Sequence, residues 1–561
     1  MKNIKKEGIL MSSDWWKNEI IYQIYPKSFK DLNGDGIGDI NGIISKLDYL
    51  ENLGITSIWL CPIYKSGMFD NGYDIIDYYQ IDEKFGTIEE LETLIQEARK
   101  RNIKIIMDLV LNHTSKEHQW FKEAIKDKNS KYRNYYIIRK GNNHTPPNNW
   151  RSVFGKSIWE EIGDTNEFYM HTFLREQPDL NWENPNMRNE LYEMIDWWSK
   201  KGIRGFRLDA VNFIKKSDLH KNGIPNGADG LCSPFRFTRE IDGIEKFFEE
   251  LSDRTFKVYD FLTVTEAVGV SEEGLEKYAR NFSMMFNFDY ADIDILDEDY
   301  YKLSGWTKRE FKNTFIKSLS DLPYDLWQGQ FIENHDQPRF ADKMIVNKKE
   351  VDYYSKTMFG AMYFFTKGTP FIYQGQEIGM ENCQRNSIKE YDDVSSKSQH
   401  YRAVEDGYTP EEALKFVQRR SRDNARTPMQ WSKDENAGFT TGTPWLFVND
   451  NYTNINVKDE LKEEKSVLNF YKKMIELRKS EEYQMVLIQG EFKEIEIDDD
   501  EIISYKRFDG RKTIEVYCNF SNEEKEINLK EGKVILNNYE KFDENKLMPY
   551  QTVLIEKKGL I

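Results

Sequence analysis

The sequence predicts an α/β protein: a (β/α)8 TIM barrel with an inserted subdomain after its third strand and a C-terminal antiparallel β-sandwich domain. Three observations carry this expectation. From Glu19 onward, short apolar strand-like runs alternate with amphipathic helix-like runs, the signature of a βα repeat around a parallel sheet. Eight such strand-like runs can be counted. Four of them end in carboxylates or imidazole: Asp108 to His113, Arg207 to Asp209, Thr265-Glu266 and Asn334-His335-Asp336. Polar groups at the carboxyl ends of several separate strands are how a parallel barrel builds a site.

Taken in order, the strands are expected at residues 20–25, 57–61, 104–109, 205–209, 262–266, 285–289, 330–334 and 370–373. Helices fit between them. Residues 87–101 place Leu91, Leu94, Ile95 and Ala98 on one stripe, and 189–201 read as a helix leading into the fourth strand. Two connections are too long for simple loops: 113–177, polar, aromatic and Pro-containing, and 375–434. The first reads as a small subdomain over the barrel mouth. After a helix at 466–479 the pattern turns to alternating β character at 501–505, 513–519, 533–536 and 552–557. The barrel is therefore placed at 1–112 and 178–483, the inserted subdomain at 113–177 and the C-terminal β domain at 484–561.

A chain of 561 residues with net charge −17 is poorly suited to nucleic acid or an anionic membrane, both of which reward a basic face. A small, uncharged partner fits better, and one chain is expected to act as a monomer. The four cysteines, Cys61, Cys232, Cys383 and Cys518, show no CxxC spacing and suggest neither a disulfide framework nor a zinc site. With no apolar run of spanning length and no signal-peptide core, a cytoplasmic location is expected. Lys6-Glu7-Gly8 can be encoded by a purine run that reads as a ribosome-binding sequence just ahead of Met11, which predicts translation from Met11; the mass of the native N-terminus tests it.

The chemistry is concentrated at the strand ends. In Gly205-Phe206-Arg207-Leu208-Asp209-Ala210 a cation and a carboxylate two residues apart share one face of an apolar strand. Cleaving a glycosidic bond needs one carboxylate at the sugar and one protonated carboxyl at the leaving oxygen. Asp108, Asp209, Glu266 and Asp336 are available around one pocket. Arg207 would hold Asp209 ionised, while apolar neighbours and nearby negative charge would raise Glu266 into the range of a general acid. In the loop 31–39, Asp31-Leu32-Asn33-Gly34-Asp35-Gly36-Ile37-Gly38-Asp39 offers oxygens at alternate positions around turn-forming glycines, a pattern suited to a hard cation. It is not an EF-hand, since Gly42 stands where the twelfth-position Glu would be.

Asp108 to His113, Gly205 to Asp209, Thr265-Glu266-Ala267 and Glu333-Asn334-His335-Asp336-Gln337-Pro338-Arg339 resemble, in order and spacing, the four signature regions of glycoside hydrolase family 13. Gln177-Pro178-Asp179-Leu180-Asn181 looks like its fifth region in the oligo-1,6-glucosidase form, and Ser421 to Trp431 is similar to a run typical of bacterial α-glucosidases of that subfamily. The resemblance implies that Asp209 is the nucleophile, Glu266 the general acid/base and Asp336 the third carboxylate. It implies sugar contacts from His113, His335 and Tyr73, support of the nucleophile by Arg207, a pocket end closed by Asp70 and Arg422, and walls from Phe154, Phe173 and Gln177. It also implies a structural calcium, or magnesium, on Asp31, Asn33, Asp35, the Ile37 carbonyl and Asp39.

The implied activity is that of an exo-acting, retaining α-glucosidase on short oligosaccharides. In the subfamily, valine after the nucleophile accompanies α-1,6 cleavage and smaller residues α-1,4 cleavage, so Ala210 leans the expectation towards α-1,4-linked and sucrose-like substrates. Oligo-1,6-glucosidase and trehalose-6-phosphate hydrolase are the alternatives. Lys215, Lys216, Arg236 and Arg339 are the cations that could hold a phosphate. A non-catalytic relative of the barrel would have lost the carboxylates that are present here.

Overall fold

The computed structural model describes residues 14–557 apart from 267, 297, 298, 321, 324 and 530. The expected start at Met11 lies outside the described residues. Eight parallel strands close into a barrel in sequence order. They are β1 (Ile21–Ile24), β2 (Ser57–Leu60), β3 (Lys104–Val110), β4 (Gly205–Asp209), β5 (Leu262–Glu266), β6 (Met284–Phe286), β7 (Gln328–Gln330) and β8 (Thr369–Tyr373). Covered outside by helices and filled inside by side chains, such strands are buried on both faces, which is why most of them read as unbroken apolar runs.

Two strands depart from expectation. β7 begins at Gln328, ahead of the expected 330–334, because its two glutamines bond to each other: Gln330 Nε2 donates to Gln328 Oε1 at 2.9 Å. Phe331 and Ile332 are buried but leave the sheet. β6 ends at Phe286, so 287–289 belong to the loop that follows. These early endings release the chain to carry polar residues over the barrel mouth.

The helix Ile88–Lys100 buries the expected stripe of Leu91, Leu94, Ile95 and Ala98. It starts with a reciprocal cap, Glu90 N to Thr87 Oγ1 at 3.3 Å and Thr87 N to Glu90 Oε2 at 2.8 Å. Between β3 and β4 stand the helix Gln119–Lys126 and an antiparallel sheet of Ile138–Lys140, Glu167–Met170 and Trp159–Glu161. This insertion has its own core around Trp150, Ile158, Phe168 and Met170. The long connection after β8 folds into the helices Val394–Glu405 and Pro410–Arg420.

The C-terminal sheet runs in the order Glu491–Glu494, Ile502–Phe508, Thr513–Asn519, Thr552–Lys557, Lys533–Asn537, with a two-stranded ribbon of Lys525–Glu526 and Lys546–Leu547 beside it. Arg507 welds it to the barrel. Its fully buried guanidinium donates to the carbonyls of Phe365, Thr366, Leu487, Ile488 and Gly490. Hydrogen bonds to a charged group are worth about 1.5–3 kcal/mol each, and this set offsets the burial of an arginine. Among the described residues all four cysteines are buried and free, and no helix is long and apolar enough to cross a membrane.

Candidate active site

Residues two apart on a strand face the same side, so Arg207 and Asp209 leave β4 together. Arg207 is 1 % exposed, and its Nη1 donates to Asp209 Oδ1 and to Asp108 Oδ1, both at 2.8 Å. Its Nη2 donates to Glu266 Oε2 at the tip of β5. One guanidinium thus orients three carboxyl groups. Asp108 is the correction among them: it is fully buried and does not reach the pocket. It lies opposite Arg207 in the ladder, two residues short of the end of β3, and turns inward to accept from Tyr73 Oη at 3.0 Å and Trp59 Nε1 at 3.2 Å.

Burial is the first influence on both remaining carboxyls. It pushes Glu266 up to about 8, with Arg207 opposing and the charges of Asp209 and Asp336 adding to the rise. It pushes Asp209 up to about 6, again against Arg207. Between these values one group is ionised while its neighbour keeps a proton, the division of labour that an acid and a nucleophile need.

A second layer comes from the segment after β7. Burial pushes His335 down to about 3, so its ring is neutral. Gln23 Nε2 lies 2.8 Å from His335 Nδ1, and Tyr73 Oη lies 2.6 Å from His335 Nε2, with the two rings stacked at 5.6 Å. Asp336 meets Arg426 at 2.7 Å and Arg422 at 3.2 Å. Burial works against its charge, yet the His335 edge and these two arginines hold its carboxyl well below the usual range.

Arg422 also reaches Asp70 at 3.4 Å and Asp393 at 2.8 Å, and Gln177 Nε2 donates to Asp70 Oδ2 at 3.2 Å. His113 Nε2 sits 3.0 Å from the Tyr73 carbonyl. These bonds shut one end of the cavity.

The cavity measures about 260 Å³. Asp70, Tyr73, His113, Phe154, Phe173, Asp209, Ala210, Glu266, Asp336 and Arg422 all line it. Arg207, His335 and Gln177 stand behind its wall, at most 1 % exposed. Sequence reasoning missed Arg426 and Asp393. The first had a signal, because Arg422 and Arg426 are four apart around a helical turn and face one way. Asp393 had none, since only the folding of the long connection brings it to Arg422.

Lys215, Lys216, Arg236 and Arg339 do not line the cavity. Lys215 pairs with Glu183 at 2.7 Å, Lys216 with Asp179 at 3.0 Å and Arg339 with Glu333 at 2.9 Å, while Arg236 is exposed. The cations that line the cavity are others. Arg151 pairs with Asp229 at 2.6 Å, Arg402 with Asp299 at 2.6 Å and Arg420 with Asp292 at 2.9 Å, and Arg239 lies 4.4 Å over the Phe235 ring.

The loop 31–39 lies away from the cavity and is held by its own amides. Asp31 accepts from Gly34 N at 2.7 Å and Gly36 N at 2.8 Å, Asn33 from Asp35 N at 2.9 Å, Asp35 from Ile37 N at 2.8 Å, and Asp39 from Leu32 N at 2.8 Å. Gly36 is required there: its φ is +91° and a Cβ would stand 1.8 Å from the Thr443 carbonyl. The remaining lone pairs form the all-oxygen donor set that a hard cation takes, so the chemistry fits. The three aspartates are not drawn to chelating distance. Among the described residues, the group of ligand atoms lying within 4.8 Å of one another is that of the exposed His144 and Asp164 and the half-buried Glu161. An ion would tighten the loop rather than create it.

The α-amylase catalytic-domain family matches residues 23–488. An oligo-1,6-glucosidase of Parageobacillus thermoglucosidasius is 42% identical over 558 residues, covering 96% of this chain and 98% of its own. The crystal structure of the trehalose-6-phosphate hydrolase of Bacillus licheniformis, in a mutant form, superposes with a TM-score of 0.90 at 38% identity, over 97% of this chain and 99% of that one. That of the isomaltulose synthase of Klebsiella sp. LX3 does so with a TM-score of 0.90 at 36% identity, over 97% and 99%.

Proposed function

The chain belongs to glycoside hydrolase family 13, in its oligo-1,6-glucosidase subfamily, and from that premise we propose that it removes terminal α-linked glucose from short oligosaccharides with retention of configuration. The observation that carries this reading is the pairing of Asp209 and Glu266 on one guanidinium beside a cavity closed by Asp70 and Arg422. In this reading Asp209 attacks the anomeric carbon, the bond to the leaving oxygen breaks, and that oxygen takes the Glu266 proton. Water then attacks the glucosyl ester, gives a proton to Glu266 and frees the Asp209 carboxylate. Asp336 and His113 hold sugar hydroxyls. A closed end admits one glucose, which makes the action exo.

The lean towards α-1,4 links that Ala210 suggests has no support in the relatives, several of which carry the 1,6 linkage in their names. We therefore propose α-1,6-linked short glucosides as substrates, with Ala210 leaving room for α-1,4-linked ones. A neutral substrate is favoured over a phosphorylated one in that three of the four arginines lining the cavity, Arg151, Arg402 and Arg420, already carry carboxylates for which a phosphate would have to compete. Rates on isomaltose, maltose, sucrose and trehalose 6-phosphate test this, with NMR of the first-formed glucose. The α-anomer is expected; the β-anomer would remove retention, and turnover confined to trehalose 6-phosphate would overturn the neutral-substrate reading.

Ala210 has φ 44° and ψ 32°, a left-handed conformation that strains β-branched residues. Ala210→Val is expected to lower stability, because a β-branched side chain is less well tolerated in that conformation than the Cβ that Ala210 already carries. Its added methyls enter the cavity and shift the isomaltose-to-maltose ratio of kcat/KM upward by about 10- to 200-fold. An unchanged ratio in the folded variant would place linkage preference in the surrounding loops.

Calcium on the loop 31–39 is likewise a proposal. A hundredfold excess over its Kd stabilises the native state by about 2.7 kcal/mol. The melting temperature should therefore rise by a few degrees with little change in kcat, and Asp35→Ala should erase the rise. Immediate loss of activity in chelator, with the fold intact, would contradict a structural ion.

A further inference from the structure

Behind the mouth of the cavity lies a buried lysine that the proposed reaction does not use. Lys343 is 4 % exposed and, among the described residues, pairs with no carboxylate. Its Nζ donates to the Ala291 carbonyl and, at 3.1 Å, to Gln337 Oε1. Gln337 is also 4 % exposed and lines the cavity. Because the lysine is a donor, as is Arg420 Nη1 at the longer distance of 3.4 Å from the same oxygen, the Gln337 amide faces with its oxygen inward and its nitrogen outward. That nitrogen donates to Asp292 Oδ1 at 2.9 Å.

Arg420 reinforces the arrangement, giving Nη2 to the same Asp292 Oδ1 at 2.9 Å and Nη1 to Asp294 Oδ1 at 3.0 Å. Both donors fall on Oδ1, and among the described residues Oδ2 of Asp292 accepts no hydrogen bond. The Asp292 side chain is 25 % exposed and lines the cavity, and its hydrogen bonds among the described residues go to Gln337 and Arg420. A carboxylate held by one oxygen, with the other open to a cavity, is an acceptor built for a hydroxyl group.

We propose that Asp292 accepts a hydrogen bond from a hydroxyl of the leaving sugar, and that Lys343, acting through Gln337, is the positioning residue that turns Asp292 towards it. The inference rests on the α-glucosidase reading and adds a determinant for the leaving group. Without the lysine, the Gln337 oxygen keeps, among the described residues, only the long 3.4 Å contact from Arg420 Nη1, which holds the amide weakly enough for it to turn over. Its oxygen would then face the Asp292 carboxylate, which would rotate away.

The test compares a disaccharide, isomaltose, with p-nitrophenyl α-glucoside, whose leaving group has no hydroxyl to donate. The readout is the ratio of their kcat/KM values. Asp292→Asn and Lys343→Met should each lower that ratio about 10-fold or more, the effect of losing a hydrogen bond to a charged group, and should do so mainly through KM for isomaltose. The double variant should fall no further than Asp292→Asn alone, because both act on one contact. Lys343→Arg, which keeps a donor, should recover part of the ratio. Equal losses on both substrates, or losses that multiply in the double variant, would overturn the proposal. If Lys343→Met fails to fold, an unchanged ratio in Asp292→Asn overturns it. A wild-type enzyme inactive on both substrates would instead sink the α-glucosidase reading itself.

Discussion

Asp209→Asn is expected to lower kcat by roughly 10⁵-fold or more on every substrate while the protein stays folded. The magnitude follows from the chemistry: an amide cannot form the glucosyl ester, and loss of a nucleophile removes most of what the other groups achieve together. Survival of the fold follows from Arg207. Removing one partner of a buried ion pair costs about 3–5 kcal/mol when it strands a charge. Here the guanidinium keeps Asp108 at 2.8 Å and Glu266 on its other nitrogen, so the charge is not stranded. The variant should therefore melt within a few degrees of the parent. Asp108→Asn should melt lower, because that side chain is fully buried and also accepts from Tyr73 and Trp59. Residual turnover within tenfold of the parent would remove Asp209 from the nucleophile's role, and unfolding of Asp209→Asn would show that Arg207 depends on it.

The barrel was legible because burial on both faces leaves its strands as apolar runs, and because four of those runs end in groups that have no place in a core. Where polar residues enter a strand, the reading slipped. Gln328 and Gln330 satisfy each other inside the sheet, which no pattern of hydrophobicity can announce. Arg207 and Asp209 were readable as partners from strand periodicity alone. The partnership of Arg422 with Asp393 was not, because it joins two parts of a long connection whose path is set by packing. The cations proposed for a phosphate were chosen by proximity along the chain. Three of them carry carboxylates elsewhere, and those at the mouth come from the inserted subdomain, from the helices Val394–Glu405 and Pro410–Arg420, and from the segment after β4.

Glu266→Gln should separate the two steps of the reaction. General acid catalysis contributes about 10²- to 10⁴-fold, and that factor should vanish from kcat/KM for isomaltose, whose leaving sugar needs a proton. An aryl glucoside with an acidic phenol departs without one, so its kcat/KM, which reports the first step, should change far less. Its kcat should still fall, because the second step needs Glu266 as the base that activates water. Azide requires no base, and adding it should restore kcat and yield a glucosyl azide. The pH profile carries the same assignment with a definite sign. In the parent, activity should rise as pH passes about 6, where Asp209 loses its proton, and fall as pH passes about 8, where Glu266 loses its own. The two limbs belong to the pair, since each charge acts on the other. In Glu266→Gln the alkaline limb should be absent on the aryl substrate, while the acid limb should stay near 6, because Glu266 is already protonated where Asp209 titrates and Asp108 and Asp336 still oppose its ionisation. Persistence of the alkaline limb, or equal losses on activated and unactivated substrates, would assign the acid to another residue.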